Sequence, residues 1–223
     1  MDILESFFDL AGSLICHQLP SRSLYAGGRQ LPVCARDMGI YAGIFTAALF
    51  ITLFRRLGAQ RPPRLSSSIL LCLMMFPMIL DGILSYTGVT ESNNTVRVFS
   101  GLLFGLPIPY LLVPAAHYDA EGENEKPVLK NIAEFVPPLA TGLLLCILLL
   151  GGMAPYILAG AVFLIGFLFL LGRLTYTIFA RMRGLTGKKL LAFTAIGTII
   201  VLTSLYLLST LLLQPLKEAF LKL

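Results

Sequence analysis

Long apolar runs alternate with short polar segments along most of this 223-residue chain. Each run reaches or approaches the length, about 20 residues, that crosses the hydrocarbon core of a bilayer as a helix. A backbone inside lipid must satisfy its own hydrogen bonds, which favours helices over strands. The candidate spans are residues 38–54, 66–86, 98–116, 133–151, 154–172 and 190–213. The pattern predicts an all-α integral membrane protein with about six transmembrane helices.

The first residues follow a different pattern, in which apolar side chains recur at helical spacing opposite an acidic face. The apolar positions are Ile3, Leu4, Phe7, Phe8, Ala11, Leu14 and Ile15, and the polar ones are Asp2, Glu5, Ser6, Asp9 and Ser13. Such a pattern is typical of an amphipathic helix. Because an acidic face disfavours docking on anionic lipid headgroups, we expect this helix to pack against the protein's own bundle at the membrane edge.

We interpret residues 1–223 as a single membrane domain in three parts. Residues 1–37 comprise the amphipathic helix and a polar segment, here called the collar (residues 15–37). Residues 38–116 form three helices that carry the polar motifs, and residues 133–213 form three nearly featureless helices that we expect to be scaffold. The composition agrees, because 57% of the residues are hydrophobic and 13% are charged, whereas a soluble domain carries about a quarter charged residues.

Basic residues are distributed unequally between the two sides of the predicted bundle. One side carries Arg55, Arg56, Arg61, Arg64, Lys126, Lys130, Arg173, Arg181, Arg183, Lys188 and Lys189, and the other carries Arg22, Arg29, Arg36, Arg97, Lys217 and Lys222. The positive-inside rule places the first group in the cytoplasm. We therefore predict that the collar and both termini are extracytoplasmic. We expect membrane lipids as partners and no nucleic acid, because no phosphate-binding loop and no basic–aromatic face is present.

The collar holds Cys16, His17 and Cys34, whose side chains are soft ligands for zinc and other transition metals. Neighbouring residues on a helix point about 100° apart, so Cys16 and His17 can share a metal only if the helix ends near Pro20. One alternative is a Cys16–Cys34 disulfide, which would contribute roughly 3 kcal/mol on a side where oxidation is permitted. The other is a pair of inert thiols.

Two further cysteines, Cys72 and Cys146, lie within apolar runs. Free cysteine behaves as a small hydrophobic side chain in such surroundings. We expect both to be core residues.

Asp81 lies near the predicted outer end of the second span, where an ionisable side chain costs at least about 2.5 kcal/mol to insert. Such a residue is retained either for an ion pair, here with Arg36 or Arg97, or for a function. Arg22, Arg36 and Arg97 oppose the predicted topology. Guanidinium groups either bind phosphate and carboxylate in a bidentate manner or extend to the membrane interface.

The polar segment ESNNTVR, residues 91–97, precedes the third span. Asparagine is a good helix cap, so we expect the third helix to begin near residues 92–94. Asn94 and Arg97 would then share one helix face. A cap explains one or two of these polar residues but not all of them, which favours a site at this end.

Three ordered motifs, CHQLPSRS, CARDMGIYAG and DGILSYTGVTESNNTVRVFSGLLFG, resemble those of the prokaryotic membrane-protein family known as domain of unknown function 2085. The resemblance covers about residues 14–105 and departs at Ser85, where glutamine is expected, and at Asp37, where threonine or cysteine is more usual. It implies a small multi-pass protein of a prokaryotic plasma membrane and brings no established activity. The matching positions are Cys16, His17, Gln18, Arg22, Ser23, Cys34, Arg36, Gly39, Tyr41, Asp81, Gly82, Ser92, Asn94, Arg97 and Gly101.

These features together predict a polar site that opens outward. We assign Cys16, His17, Cys34 and Asp81 to a bound zinc or other transition metal, and Arg22, Arg36, Asn94 and Arg97 to the substrate. His17 and Asp81 are the catalytic candidates, with His17 as a general base because histidine titrates near neutral pH.

The expected function is that of a metal- or thiol-dependent enzyme acting on a lipid or a lipid-linked phosphate. The first alternative is an anion or lipid transporter, against which stand the missing polar path through the last four helices and the absence of inverted repeats. The second alternative is a non-catalytic membrane scaffold stapled by a disulfide.

Overall fold

The computed structural model describes residues 3–182 and 184–213. The α-helices in this part of the chain are α1 (Ile3–Ser13), α2 (Ala35–Leu53), α3 (Leu65–Tyr86), α4 (Asn94–Gly105), α5 (Pro107–Ala115), α6 (Val136–Leu150), α7 (Tyr156–Ala180) and α8 (Gly187–Leu208). Strands β1 (Ser23–Ala26) and β2 (Arg29–Cys34) pair as an antiparallel hairpin. Short 3₁₀ turns cover Pro20–Arg22 and Ile132–Phe135, and a π-helical turn, Ser209–Leu213, continues α8.

Six helical segments among the described residues are long and apolar enough to cross a membrane. They are Ala35–Leu53, Leu65–Tyr86, Asn94–Ala115, Ile132–Leu150, Tyr156–Ala180 and Gly187–Leu211. The third segment consists of α4 and α5, which meet at Leu106 because the ring of Pro107 cannot continue the α-helical hydrogen bonds. The predicted all-α membrane architecture is confirmed.

Helices α2 and α4 pack with their backbones in direct contact. A Cβ atom added to Gly39 would lie 2.1 Å from the carbonyl oxygen of Val98, and one added to Gly105 would lie 2.0 Å from that of Ile40. The glycines of this contact are Gly39 and Gly43 on α2 and Gly101 and Gly105 on α4. Small residues four apart allow such an approach between membrane helices. The contact fixes the first turn of α2 against the first turns of α4.

Helix α2 and the α4–α5 segment form the centre of the bundle, whereas α3 and α8 lie at its edge. The buried share is 56% for the α2 span and 61% for the α4–α5 span, against 6% for the α3 span and 11% for the α8 span. Tyr41 of α2 packs edge-on against Phe163 and Phe167 of α7, with ring centroids 5.3 and 5.7 Å apart. The side chains on α3 and α8 that face away from the bundle are therefore lipid-facing.

The two cysteines of the apolar helices differ in burial. Cys146 is fully buried on α6, as predicted, but Cys72 is exposed on α3 and its assignment to the core is wrong. The physical reason is that α3 is apolar around most of its circumference. Its sequence therefore does not distinguish the face that contacts protein from the face that contacts lipid.

Helix α1 packs against the bundle, as predicted, with Phe8 lying on the backbone of Gly160 and 6.3 Å from the ring of Tyr156. Its polar face also turns toward the protein, because Glu5 is buried and pairs with Arg29 of the hairpin. Tyr156 donates a hydrogen bond to Asp9 Oδ1 at 2.9 Å. Apolar side chains on the remaining face, including Ile3, Phe7 and Leu10, are exposed.

The collar forms a β-hairpin that the sequence interpretation did not include. Gly27 and Gly28 both have positive φ, +56° and +76°, as a two-residue type I′ turn requires. The register places Ser23 opposite Cys34. The Gly-Gly pair between two short runs of strand-forming residues was the available signal. The hairpin ends at Cys34, which immediately precedes the first residue of α2.

The basic loops between spans meet at one end of the bundle, here called the loop end. Arg56 binds both carboxylate oxygens of Glu134, at 2.5 and 2.8 Å. Arg173 donates to the carbonyl oxygens of Leu57 and Val113, both at 2.8 Å. These contacts tie the segment after α2 to the last turn of α5, to the segment before α6 and to α7, and thereby group the loops as the charge count predicted.

The opposite end, which carries the collar and the beginning of α4, is here called the collar end. Its extracytoplasmic orientation stays a prediction. The grouping of the loops shows which segments share an end of the bundle, but it does not show which end faces the cytoplasm. Arg183, Lys217 and Lys222, which contributed to the predicted orientation, lie outside the described residues, as does the C-terminus.

Candidate functional site

Two cysteines and one aspartate converge at the N-terminus of α2. The backbone N–H of Cys34 donates to Cys16 Sγ at 3.2 Å, and the thiol of Cys34 donates to Asp37 Oδ2 at 3.1 Å. One ligand atom from each of Cys16, Cys34 and Asp37 lies within 4.8 Å of the other two. Cys34 immediately precedes α2 and Asp37 lies in its first turn, so the spacing of three residues aims both side chains to one face.

A network around Gln18 holds Cys16 in this position. Gln18 adopts a positive φ of 51°, which is uncommon outside glycine. Its side-chain amide donates to the carbonyl oxygens of Asp9 and Pro32, each at 2.9 Å. Gln30 in turn donates to the carbonyl oxygen of Gln18 at 2.7 Å. The chain therefore leaves α1 and turns back at residue 18, which fixes the sulfur of Cys16 beside the hairpin.

The two thiols have different proton affinities. A hydrogen bond from Cys34 holds the pKa of Cys16 below its ordinary value, against the opposing effects of burial and of the Asp37 carboxylate. The side-chain hydrogen bond between the two sulfurs, together with burial and the negative charge of Asp37, raises the pKa of Cys34 strongly, and the single thiol proton of Cys34 is shared between Cys16 Sγ and Asp37 Oδ2. Both cysteines are free. The pair is therefore polarised, with Cys16 as the sulfur that ionises first.

Two of the four predicted metal ligands, Cys16 and Cys34, are brought together. Among the described residues, the ligand group within 4.8 Å contains Asp37 and neither His17 nor Asp81. His17 is exposed, next to Cys16 in the chain. Asp81 accepts a hydrogen bond from Arg36 Nη2 at 2.5 Å, with side chains only 8% and 16% exposed. The ligand and catalytic roles of His17 and Asp81 stay predictions.

The first residues of α4 arrange the other polar side chains. Asn93 caps the helix by accepting the N–H of Val96 at 2.8 Å, so the predicted helix start is confirmed. Because Asn93 caps the helix, the side chain of Asn94 makes other contacts. It donates to the carbonyl oxygen of Ser23 and accepts from Arg97 Nη1, each at 3.2 Å. Asn94 thus links the hairpin to α4, and it shares a face with Arg97 as expected.

Three arginines gather around this point, and we call Arg22, Arg36 and Arg97 the arginine cluster. The guanidinium groups of Arg22 and Arg36 repel that of Arg97, whereas the carboxylate of Asp81 attracts it. Arg97 is buried, and Arg22 lies over the ring of Tyr86 with its Cζ 5.9 Å from the centroid. The cluster adjoins the thiols, because Cys34 also acts electrostatically on Arg97.

Two features of the site were not predicted from the sequence. Asp37 was noted only as a departure from a motif, although its position three residues after Cys34 at a helix start was a usable signal. The hydroxyl of Ser92 and the Nε atom of Arg36 are buried without a hydrogen-bond partner among the described residues. No local sequence pattern reveals these two buried groups, because their burial depends on packing between distant segments.

The part of the chain that builds this site is the part shared with other proteins. The family model described as "Predicted membrane protein (DUF2085)" matches residues 16–111, from the first cysteine of the cluster to the middle of α5. No solved structure matches the chain.

Two archaeal relatives each match slightly less than half of this chain. An uncharacterized protein of Methanocaldococcus jannaschii is 32% identical over 102 residues, which cover 46% of this chain and 64% of that protein, slightly less than two thirds. An uncharacterized protein of Methanothermobacter thermautotrophicus is 33% identical over 105 residues, which cover 46% of this chain and 88% of that protein. The chain is therefore a multi-pass membrane protein that belongs to the family known as domain of unknown function 2085.

Proposed function

We propose that the collar end is the centre of a metal-dependent membrane enzyme that acts on a lipid or a lipid-linked phosphate. The observation that carries this proposal is the convergence of Cys16 Sγ, Cys34 Sγ and an Asp37 carboxylate oxygen within 4.8 Å. The arginine cluster directly beside these three ligands supplies groups that recognise phosphate.

The ligand set fits a transition metal with an open coordination position. Zinc is held by cysteine sulfur and carboxylate oxygen, and its catalytic sites combine three protein ligands with a fourth position for water or substrate. Such a metal would supply a water molecule activated near neutral pH. The proton that Cys34 shares with Asp37 would leave on metal binding, because thiolates are the ligands.

The roles of the remaining residues follow from their places around the three ligands. His17, exposed beside Cys16, would accept a proton from the attacking water. Asp81 would orient Arg36 toward the substrate through their ion pair, and Asn94 would orient Arg97 in the same way. The substrate would reach this site from the outer leaflet if the predicted orientation holds.

A second candidate function, thiol chemistry without a metal, is favoured by the polarised cysteine pair. The Cys34 N–H bonded to Cys16 Sγ, together with the lowered pKa of Cys16, is typical of a nucleophilic thiolate at a helix N-terminus. In that case the Cys16 thiolate would attack the sulfur–sulfur bond of a disulfide substrate and release one substrate thiol, and the Cys34 thiolate would then displace the second substrate thiol, which leaves a Cys16–Cys34 disulfide and a reduced substrate.

Metal analysis of the purified protein, prepared under metal-replete conditions, tests the first candidate. We expect about one zinc or other transition-metal ion per chain, by the stoichiometry of a three-ligand site. The metal should be lost in Cys34→Ser and Asp37→Asn and retained in Cys72→Ser, whose thiol is exposed on α3. Absence of metal from every preparation, or its retention in Cys34→Ser, would contradict the metal centre.

Non-reducing mass spectrometry separates the remaining possibilities. A metal-free protein whose Cys16 and Cys34 interconvert between thiols and a disulfide supports thiol chemistry. A quantitative, reduction-resistant Cys16–Cys34 bridge would instead favour the non-catalytic scaffold.

A further inference from the structure

The arginine cluster carries more positive charge than the neighbouring carboxylates neutralise. The charged groups that act on Arg97 are Arg22, Arg36, Asp81 and, when ionised, Cys34. The carboxylate of Asp81 is already paired with Arg36. The other nearby carboxylate, Asp37, accepts its hydrogen bond from the neutral thiol of Cys34 and keeps its negative charge. Three guanidinium groups therefore face two carboxylates, which leaves an excess of one positive charge.

The charge of Arg97, the buried member of the cluster, is not spread into water. Arg97 is only 9% exposed, and its hydrogen-bond partner is the neutral amide of Asn94 at 3.2 Å. A guanidinium group has five donor hydrogens, so one amide oxygen leaves most of them unused. Arginines that merely extend to the membrane interface keep the charged end in water. The burial of Arg97 instead requires a compensating anion.

Two unused donors lie at the same end of the bundle. Arg36 Nε and the hydroxyl of Ser92, which precedes the cap of α4, are buried without a partner among the described residues. Helices α2 and α4 both begin at this end, so their N-terminal dipoles add positive potential. An anion with several acceptor oxygens would satisfy these groups together.

We propose that the arginine cluster, with Asn94 and Ser92, binds the dianionic phosphate group of a phosphomonoester. At neutral pH such a group carries a charge of about −1.5 to −2 and three strong acceptor oxygens, which would offset the excess positive charge and accept from the unused donors of Arg97, Arg36 and Ser92. A phosphodiester carries one negative charge and has one non-bridging acceptor oxygen fewer. The inference names the substrate class of the proposed enzyme, and rests on that function only for the reaction that follows binding.

The same chemistry is offered by a lipid with a terminal phosphate and by free phosphate, and binding experiments distinguish the two. The protein is placed in nanodiscs of neutral lipid and titrated calorimetrically with inorganic phosphate. In parallel, nanodiscs containing phosphatidic acid or phosphatidylglycerol are compared by the thermal stability of the protein. Binding of inorganic phosphate identifies a soluble source, and stabilisation by phosphatidic acid alone identifies a lipid source. Either result supports the dianion.

The variants Arg97→Gln and Arg22→Gln should each weaken binding at least about tenfold, the effect of losing a charge-assisted hydrogen bond. Arg29→Gln is the matched control, because Arg29 lies at the same end but pairs with Glu5. Arg22 lies in a short 3₁₀ turn, so its variant remains informative if Arg97→Gln does not fold. Circular dichroism checks the fold of each.

Repeating the titrations on chelator-treated protein and on Cys34→Ser separates this inference from the metal centre. Phosphate binding that persists without metal supports the arginine cluster even if the metal proposal fails. Bound metal without phosphate binding would leave the metal proposal standing and overturn this one. Equal stabilisation by phosphatidylglycerol and phosphatidic acid, or undiminished binding in both arginine variants, would also overturn it.

Discussion

Both ends of the bundle are rich in arginine, but they use it differently. At the loop end, Arg56 has both carboxylate oxygens of Glu134 and the carbonyl oxygen of Val128 as partners. Arg181 likewise donates to the carbonyl oxygens of Ala115 and Tyr118. These arginines close loops onto the ends of helices, and their donor groups are bound by a carboxylate or by backbone carbonyl oxygens of the protein.

At the collar end, the guanidinium groups of Arg22 and Arg36 repel that of Arg97, and the carboxylate of Asp81 attracts it. An unpartnered nitrogen alone does not separate the two ends, because Arg173 Nε at the loop end is also buried without a partner among the described residues. Arg173 nevertheless donates to two carbonyl oxygens, and the neighbouring group that acts on its charge is Tyr176 and not another arginine. Repulsion between neighbouring guanidinium groups therefore distinguishes the arginine cluster, which we propose binds an anion.

The largest effect is expected where the collar end is assembled, at the contact of α2 with α4. In Gly105→Ala the added Cβ would lie 2.0 Å from the carbonyl oxygen of Ile40, so the two backbones must separate. We expect a loss of about 3 kcal/mol in the free energy of unfolding, seen as less folded protein by size-exclusion chromatography and circular dichroism. Gly82→Ala is the control, because nothing lies within 4 Å of a Cβ there. Equal stability of the two variants would contradict the direct backbone contact.

The two kinds of arginine should respond oppositely in stability and binding. Arg56→Gln leaves Glu134 unpaired at the loop end and should lower the free energy of unfolding by about 2 kcal/mol, less than for a fully buried pair because both side chains are partly exposed. Arg97→Gln removes a repelled charge, and we expect a loss below about 1 kcal/mol. Unfolding in detergent, followed by circular dichroism, measures both. A larger loss for Arg97→Gln would make its role structural and end the contrast.

The pH dependence of thiol alkylation tests the difference in pKa between Cys16 and Cys34 at the collar end. It is measured in protein carrying Cys72→Ser and Cys146→Ser. Because Cys34 donates a hydrogen bond to Cys16, Cys16 should react with iodoacetamide at a midpoint below its ordinary value of 9.0. Cys34, whose pKa is raised, should stay unreactive over the same range. The substitution Cys34→Ala should move the Cys16 midpoint upward. A midpoint for Cys16 at or above 9.0 would contradict the polarised pair.

The smallest effect is expected from His117, at the loop end. Burial first, and then repulsion by Arg173 and Arg181, holds its pKa below 6.5. The unfolded chain therefore binds this proton more readily, so stability should fall as the pH drops below about 6.5. His117→Gln should flatten that dependence in thermal unfolding measured between neutral and mildly acidic pH. An unchanged slope in the variant would assign the acid sensitivity to other groups.

The helices could be predicted from the sequence because bilayer thickness sets the length of each apolar run. The edge of the bundle could not, since α3 is apolar on nearly all sides and Cys72 gave no sign of facing lipid. The hairpin of the collar was missed because its strands are short and the Gly27–Gly28 turn was its main signal.

The candidate site could likewise be predicted only in part. The gathering of polar residues at one end followed from counting spans and charges, and the ion pair of Asp81 with Arg36 was one of the alternatives it left open. The position of Asp37 beside Cys16 and Cys34 depends on the exact start of α2. The excess charge around Arg97 depends on glycine contacts between distant segments, which no local pattern records.

X-ray absorption spectroscopy of the zinc-loaded protein tests the ligand site at the collar end most directly. The geometry of Cys16, Cys34 and Asp37 predicts two sulfur ligands at about 2.3 Å and lighter ligands at about 2.0–2.2 Å. The sulfur signal should be lost in Cys34→Ser and kept in Cys72→Ser. A shell made only of nitrogen and oxygen, or a protein that binds no zinc, would contradict a metal centre built on these three residues.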